Sequence, residues 1–207
     1  MKLIAHTYLQ QDRLFHQGGK EVFQADPNTG NVFKSMYHFL EMDYPKFYKM
    51  DSLSKIAILA AETLIKENPR FTFESVQLIF MNAHASYSAD TQFQASYLEA
   101  KKPSPSHFVY TLANIPMGEI AIKYKIMGET IFLISEEINV ALFVEQIQFA
   151  FQKNTQFACC AWLEINPRGI AECFLFLVAN TNEKEDPKAA INLEQAIRTI
   201  LKKYRNE

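Results

Sequence analysis

Three sets of side chains in this sequence could carry covalent or acid–base chemistry: the thiols of Cys159, Cys160 and Cys173, the imidazoles of His6, His16, His38, His84 and His107, and the adjacent carboxylates Glu136 and Glu137. A thiol acts as a nucleophile once a neighbouring base or cation holds it as thiolate, and His84 or His107 could supply that base. The surroundings argue against it. Cys159 and Cys160 lie in an apolar run that reads as a strand, where consecutive side chains face opposite ways, and a free cysteine there serves as a small buried hydrophobe. Three thiols do not make a disulfide framework, and a reducing cytoplasm is the expected setting. No two histidines or cysteines stand at C-x-x-C or H-x-x-x-H spacing, so neither a metal nor another cofactor is expected. The Glu136-Glu137 pair reads as a cap on the first turn of a helix, as the lining of a pocket or interface, or as a general acid and base. The positive end of a helix dipole holds a carboxylate's pKa down, whereas a general acid needs it raised.

These groups must be positioned by elements that the apolar pattern outlines. Lys2 to Leu9 predicts a first strand, ended by Gln10-Gln11-Asp12. From about 10 to 50, the turn residues Gly18-Gly19 and Asp26-Pro27-Asn28-Thr29-Gly30 accompany the aromatics Phe33, Tyr37, Phe39, Tyr44, Phe47 and Tyr48, which predicts a long irregular arm packed through its rings. Asp51 or Ser52 can cap a helix with Leu53, Ile56, Ala57, Ala60 and Leu64 on one face, running to about Glu67 before Pro69. Val76 to Met81 reads as a buried strand, Asn82 to Asp90 as a polar loop and Thr91 to Ala100 as a second helix.

Beyond Pro103 and Pro105, Ile115 to Lys125 reads as a helix with Asn114 as its cap. Gly118 inside it costs about 1 kcal/mol against alanine, which predicts a compensating close backbone contact. Thr130 to Ile134 is a short strand, and Ala141, Val144, Ile147 and Phe151 recur at helical spacing after it, so Glu136-Glu137 falls at a strand-to-helix turn. Phe157 to Ile165 and Glu172 to Ala179 read as antiparallel strands joined by a β-turn at Asn166-Pro167-Arg168-Gly169. Leu193, Ala196, Ile197, Ile200 and Leu201 line a helix over about 187–204.

Composition narrows the function classes. A formal charge of -2 gives no electrostatic footprint for nucleic acid, and none is expected as a partner. No run of about 18 apolar residues occurs and the first residues are too short an apolar stretch for a signal sequence, so neither a membrane span nor export is expected. At 207 residues the chain fits one large domain, and no repeat or linker divides it.

The stretch Ser104 to Asn139, SPSHFVYTLANIPMGEIAIKYKIMGETIFLISEEIN, resembles the segment of a β-ketoacyl synthase that leads to its nucleophilic cysteine. Pro105 and Phe108 fall on that family's "SP..F", Asn114 and Gly118 on its "N...G", and Gly128 on the glycine before the active-site strand. Residues 44–55, YPKFYKMDSLSK, followed by IAILAAETLI, are similar to the family's "RRMDRLSRLALAAA", and 158–164 with 169–179 resemble the last two strands of its first half. The likeness covers about residues 45–180. It is nearest to short bacterial ketosynthase-like proteins that accompany aryl-polyene and related pigment pathways.

The nucleophile's place falls at Glu137, and Ser135-Glu136-Glu137 resembles the S-E-Q of chain-length factors, which have lost the cysteine. A carboxylate cannot replace a thiolate as acyl acceptor. The family's catalytic histidines belong to a second half that this length has no room for, so no histidine here inherits their role. The resemblance therefore implies one half of a thiolase-like α/β fold, a mixed and mostly parallel five-stranded sheet flanked by helices, over a single domain at 1–207. It implies no catalytic residue, and a subunit interface at Thr130, Ile131, Phe132, Leu133 and Ile134. The implied partner is a full-length ketosynthase in a heterodimer. Alternatives are a stand-alone enzyme acting on acyl thioesters through Glu136 or Glu137, and a homodimer that binds acyl-CoA or an acyl carrier protein.

Overall fold

The apolar run at 76–82 becomes a strand with every residue buried, and the rest of the sheet is assembled around it. A computed structural model describes residues 1–26, 30–69, 75–99, 101–153, 155–181 and 189–205. Its strands are β1 (Lys2–Gln10), β2 (Arg13–Phe15), β3 (Glu21–Gln24), β4 (Val76–Asn82), β5 (Thr130–Ile134), β6 (Phe157–Ile165) and β7 (Ala171–Ala179). Its helices are α1 (Val32–Phe39), α2 (Ser52–Glu67), α3 (Tyr87–Leu98), α4 (Pro105–Phe108), α5 (Ile115–Tyr124), α6 (Val140–Gln152) and α7 (Ala189–Arg205), with 3-10 turns at Pro45–Lys49 and Val109–Thr111.

Among the described residues seven strands form one sheet in the order β3-β2-β1-β7-β6-β4-β5. This corrects the expected five strands, and the expected parallel majority as well. Only β4 pairs in parallel, with β5 on one side and β6 on the other; the pairings β1–β2, β2–β3, β1–β7 and β6–β7 are antiparallel. For β1–β2, β2–β3 and β6–β7 the reason is local. Tight turns can join only antiparallel neighbours, and parallel pairs require a crossover. Gln10 faces Arg13 across a two-residue turn at Gln11-Asp12. At the β6–β7 turn the Gly169 amide donates to the Asn166 carbonyl at 2.8 Å, while Asn166 Oδ1 accepts from the amides of Arg168 and Ile170.

The segment expected to be an irregular arm supplies β2, β3 and α1. Its aromatics do pack: Phe23 lies 4.9 Å from Phe39, and Tyr37 4.7 Å from Phe47, centroid to centroid. Pro27, Asn28 and Thr29 of the predicted turn lie outside the described residues, as do Ala100 and the first residues of the predicted C-terminal helix. α3 begins at Tyr87, inside the stretch expected to be loop.

Each face of the sheet carries its own core. One is closed by α1, α2 and α5, and α2 is buried nearly all round. The Asp51 carboxylate starts that helix by accepting from the amides of Leu53 and Ser54, the bond a cap must make to satisfy the first turn. The other face is closed by α6 and α7. Cys159 belongs to the first core and Cys160 to the second, as strand alternation requires. All three thiols are free and buried, and burial pushes that of Cys159 up to about 12. No helix among the described residues is long and apolar enough to cross a membrane.

Candidate functional site

The C-terminal ends of the parallel strands β4, β5 and β6 converge on one group of polar residues, the position where open α/β sheets bind ligands. The Ser135 amide donates to the Asn82 carbonyl at 2.9 Å and extends the β4–β5 pairing by one residue. Asn82 is fully buried, and both its side-chain groups bond the Ala85 backbone at 2.9 Å, which folds the chain sharply after β4. Glu164, buried at the end of β6, accepts from the Ala83 amide at 2.7 Å and lies 3.1 Å from His84 Nδ1. A carboxylate fixing one imidazole nitrogen leaves the other ring nitrogen as the one that could move a proton. A carboxylate–imidazole pair of this form is what nucleophilic sites use as base and orienter.

Glu164 stands directly across β6–β7 from Glu172. Like charges so placed repel, and each is answered separately. Glu172 accepts from Tyr8 at 2.7 Å, from Trp162 at 3.0 Å and from Arg205 at 2.9 Å through two guanidinium nitrogens, Nε and Nη2, which pins α7 to the sheet.

Ser135, Glu136 and Glu137 lie at the strand-to-helix turn, yet their local roles differ from the capping expectation. α6 begins at Val140 and its cap is Asn139, whose side chain accepts from the Leu142 amide at 3.0 Å. Glu136 and Glu137 precede that first turn and are exposed. Ser135 Oγ donates to the Glu137 carbonyl at 2.7 Å and holds the turn closed.

The scaffold residues are placed as follows. Pro105 opens α4, where Ser104 accepts from the His107 amide, and Phe108 ends it with its ring exposed, 5.4 Å from Phe93. Asn114 stands at the start of α5 without a side-chain bond to the helix. A Cβ at Gly118 would meet nothing within 4 Å, so the predicted close contact is absent there. It belongs to Gly128, whose Cβ would lie 1.9 Å from the Val76 carbonyl oxygen. Nothing in the structure explains Gly118.

β5 is the outermost strand at its end of the sheet, with Thr130 and Ile134 exposed and Ile131, Phe132 and Leu133 half-buried. Ile122 and Met127, in the chain leading to β5, are also exposed, Met127 almost completely. Sequence reasoning weighed His84 only as a base for a thiol and missed Glu164, the residue it meets across 80 positions. The available signal was a single acidic residue inside the apolar run 157–165.

No family model matches the chain, and no curated protein matches it. Solved structures do. A structure described as a ketosynthase (ApeO) in complex with its chain length factor (ApeC) from Xenorhabdus doucetiae aligns with a TM-score of 0.56 at 10% identity, over 96% of this chain and 92% of that one. The fold is that of ketosynthase and chain length factor subunits. The ishigamide ketosynthase/chain length factor aligns with a TM-score of 0.62 at 14% identity, over 98% of this chain and 72% of the other.

Proposed function

We propose that this chain is a non-catalytic, ketosynthase-like subunit of the chain-length-factor type. It joins a full-length ketosynthase and helps bound the space that receives the growing acyl chain, in fatty-acid, polyketide or aryl-polyene type biosynthesis. The observation that carries the proposal is the open edge of β5. Proteins blunt exposed edge strands with lysine, proline or a bulge, because unpaired backbone groups template further pairing. β5 reads Thr-Ile-Phe-Leu-Ile, with no charge and no proline, and it runs into the turn containing Glu137, to which the sequence resemblance assigns the nucleophile's place. An edge kept apolar beside a lost nucleophile suits a scaffold.

Support also comes from the neighbour described as a ketosynthase in complex with its chain length factor, of whose aligned chain the alignment covers nearly all. In the proposed assembly an acyl carrier protein delivers the chain to the ketosynthase, whose cysteine does the condensation. The cytoplasm is the compartment where such a partner would be met.

Co-expression with a full-length ketosynthase encoded beside this chain, followed by size-exclusion chromatography, tests the reading. Co-elution is expected. Elution of the chain alone at a single-chain mass would remove it, and elution as a homodimer would replace it with the self-associating acyl-CoA or carrier-protein module. Thioester hydrolysis by the isolated chain, abolished in Glu137→Gln, would favour the stand-alone enzyme instead.

A further inference from the structure

A cleft of about 480 Å³ opens between the 3-10 turn at Pro45–Lys49, the start of α2, α3 and α4, and none of its lining belongs to β5 or to the His84–Glu164 group. Its wall carries three basic side chains, Lys49, Lys55 and His107. Among the described lining residues the one carboxylate is Asp51. Both its oxygens are engaged by the amides of Leu53 and Ser54, and burial raises its pKa. Lys55 is half-buried, and burial lowers its pKa while Asp51 opposes the shift. Tyr48 and Met50 add apolar surface to the same lining.

We propose that this cleft binds a small organic phosphate, with the phosphate group between Lys49, Lys55 and His107 and the apolar body against Tyr48 and Met50. A phosphate dianion neutralises both ammonium groups at once, and charge-assisted hydrogen bonds to phosphate are about twice as strong as neutral ones. The volume is in the range of small-molecule sites and exceeds what a bare phosphate ion fills. This inference does not rest on association through β5, since the two surfaces share no residue.

Isothermal titration of the full chain with phenyl phosphate, inorganic phosphate and phenol tests it. Saturable binding of phenyl phosphate is expected, at least tenfold tighter than inorganic phosphate, with no detectable binding of phenol. Lys55→Met and Lys49→Met should each weaken it tenfold or more. Lys49 is exposed, so its replacement leaves the fold intact and keeps the test readable even if Lys55→Met unfolds the chain. No saturable binding of phenyl phosphate, an unchanged affinity in Lys49→Met, or phenol binding as tightly as its phosphate would each overturn the proposal.

Discussion

Replacing either Gly118 or Gly128 by alanine adds the same methyl group, and the structure assigns the two changes opposite signs. At Gly128 the new Cβ would sit 1.9 Å from the Val76 carbonyl oxygen and 2.9 Å from its carbon, against backbone that cannot turn away as a side chain would. Val76 is the buried first residue of β4, and the next carbonyl after Gly128, that of Glu129, accepts from the Leu78 amide at 3.0 Å. Clearing the clash requires the connection to retreat by about 1 Å, which strains the bond that sets β5 against β4. Overpacking costs about 1–3 kcal/mol when side chains can adjust, and a backbone-on-backbone clash belongs at about 3 kcal/mol or above. At roughly 2–4 °C per kcal/mol for a chain of this size, Gly128→Ala lowers Tm by about 6–12 °C. Gly118→Ala meets open space inside a helix and gains about 0.5–1 kcal/mol, a rise of about 1–4 °C. Thermal unfolding by circular dichroism with urea titration reads both. A Gly128→Ala protein as stable as the parent, or a Gly118→Ala protein less stable, would refute the reasoning.

Ile134→Lys alters an exposed edge residue, so the isolated chain should keep its stability; lost apolar burial and a stranded ammonium together cost the ketosynthase complex about 3 kcal/mol, or at least a hundredfold in Kd by surface plasmon resonance. Glu172→Gln removes the charge that Arg205 meets and weakens the bonds of Tyr8 and Trp162; urea titration should show a loss of about 2–4 kcal/mol, and limited proteolysis should release α7 first. Burial, with Lys203 and His16 nearby, lowers the His6 imidazole to about 4, so the unfolded chain binds this proton at a higher pH than the folded one does. Stability should therefore fall as pH drops from 6.5 towards 4 and lose that slope in His6→Gln, as urea midpoints across this range would show.

What could be read from the sequence was the chemistry of neighbours. Asp51 ahead of an apolar helical face, and Asn166 with Gly169 between two apolar runs, each define their structure within a few residues, and both are found as expected. The sheet's composition was not legible in that way. β2 and β3 are three and four residues long, too short to show alternation, and they exist because β1 is held by β7 from the far end of the chain. Nor could spacing tell which glycine meets a backbone, since Gly128 owes its role to Val76 on a strand 52 positions earlier. The turn after β5 was placed correctly, but its cap was not: Asn139, three residues before Leu142, out-competes the glutamates because its short side chain reaches the free amide. His84 and Glu164 meet only because β4 and β6 are neighbours in the sheet.

The central claim is the proposed one, that β5 is an edge kept for a partner. Hydrogen–deuterium exchange on the chain alone and with the proposed ketosynthase partner measures this at the residues concerned. Amides of Thr130 to Ile134 should gain protection on binding, while Glu21 to Gln24, at the opposite end of the sheet, stay unchanged. Protection elsewhere with none at β5 would contradict the account.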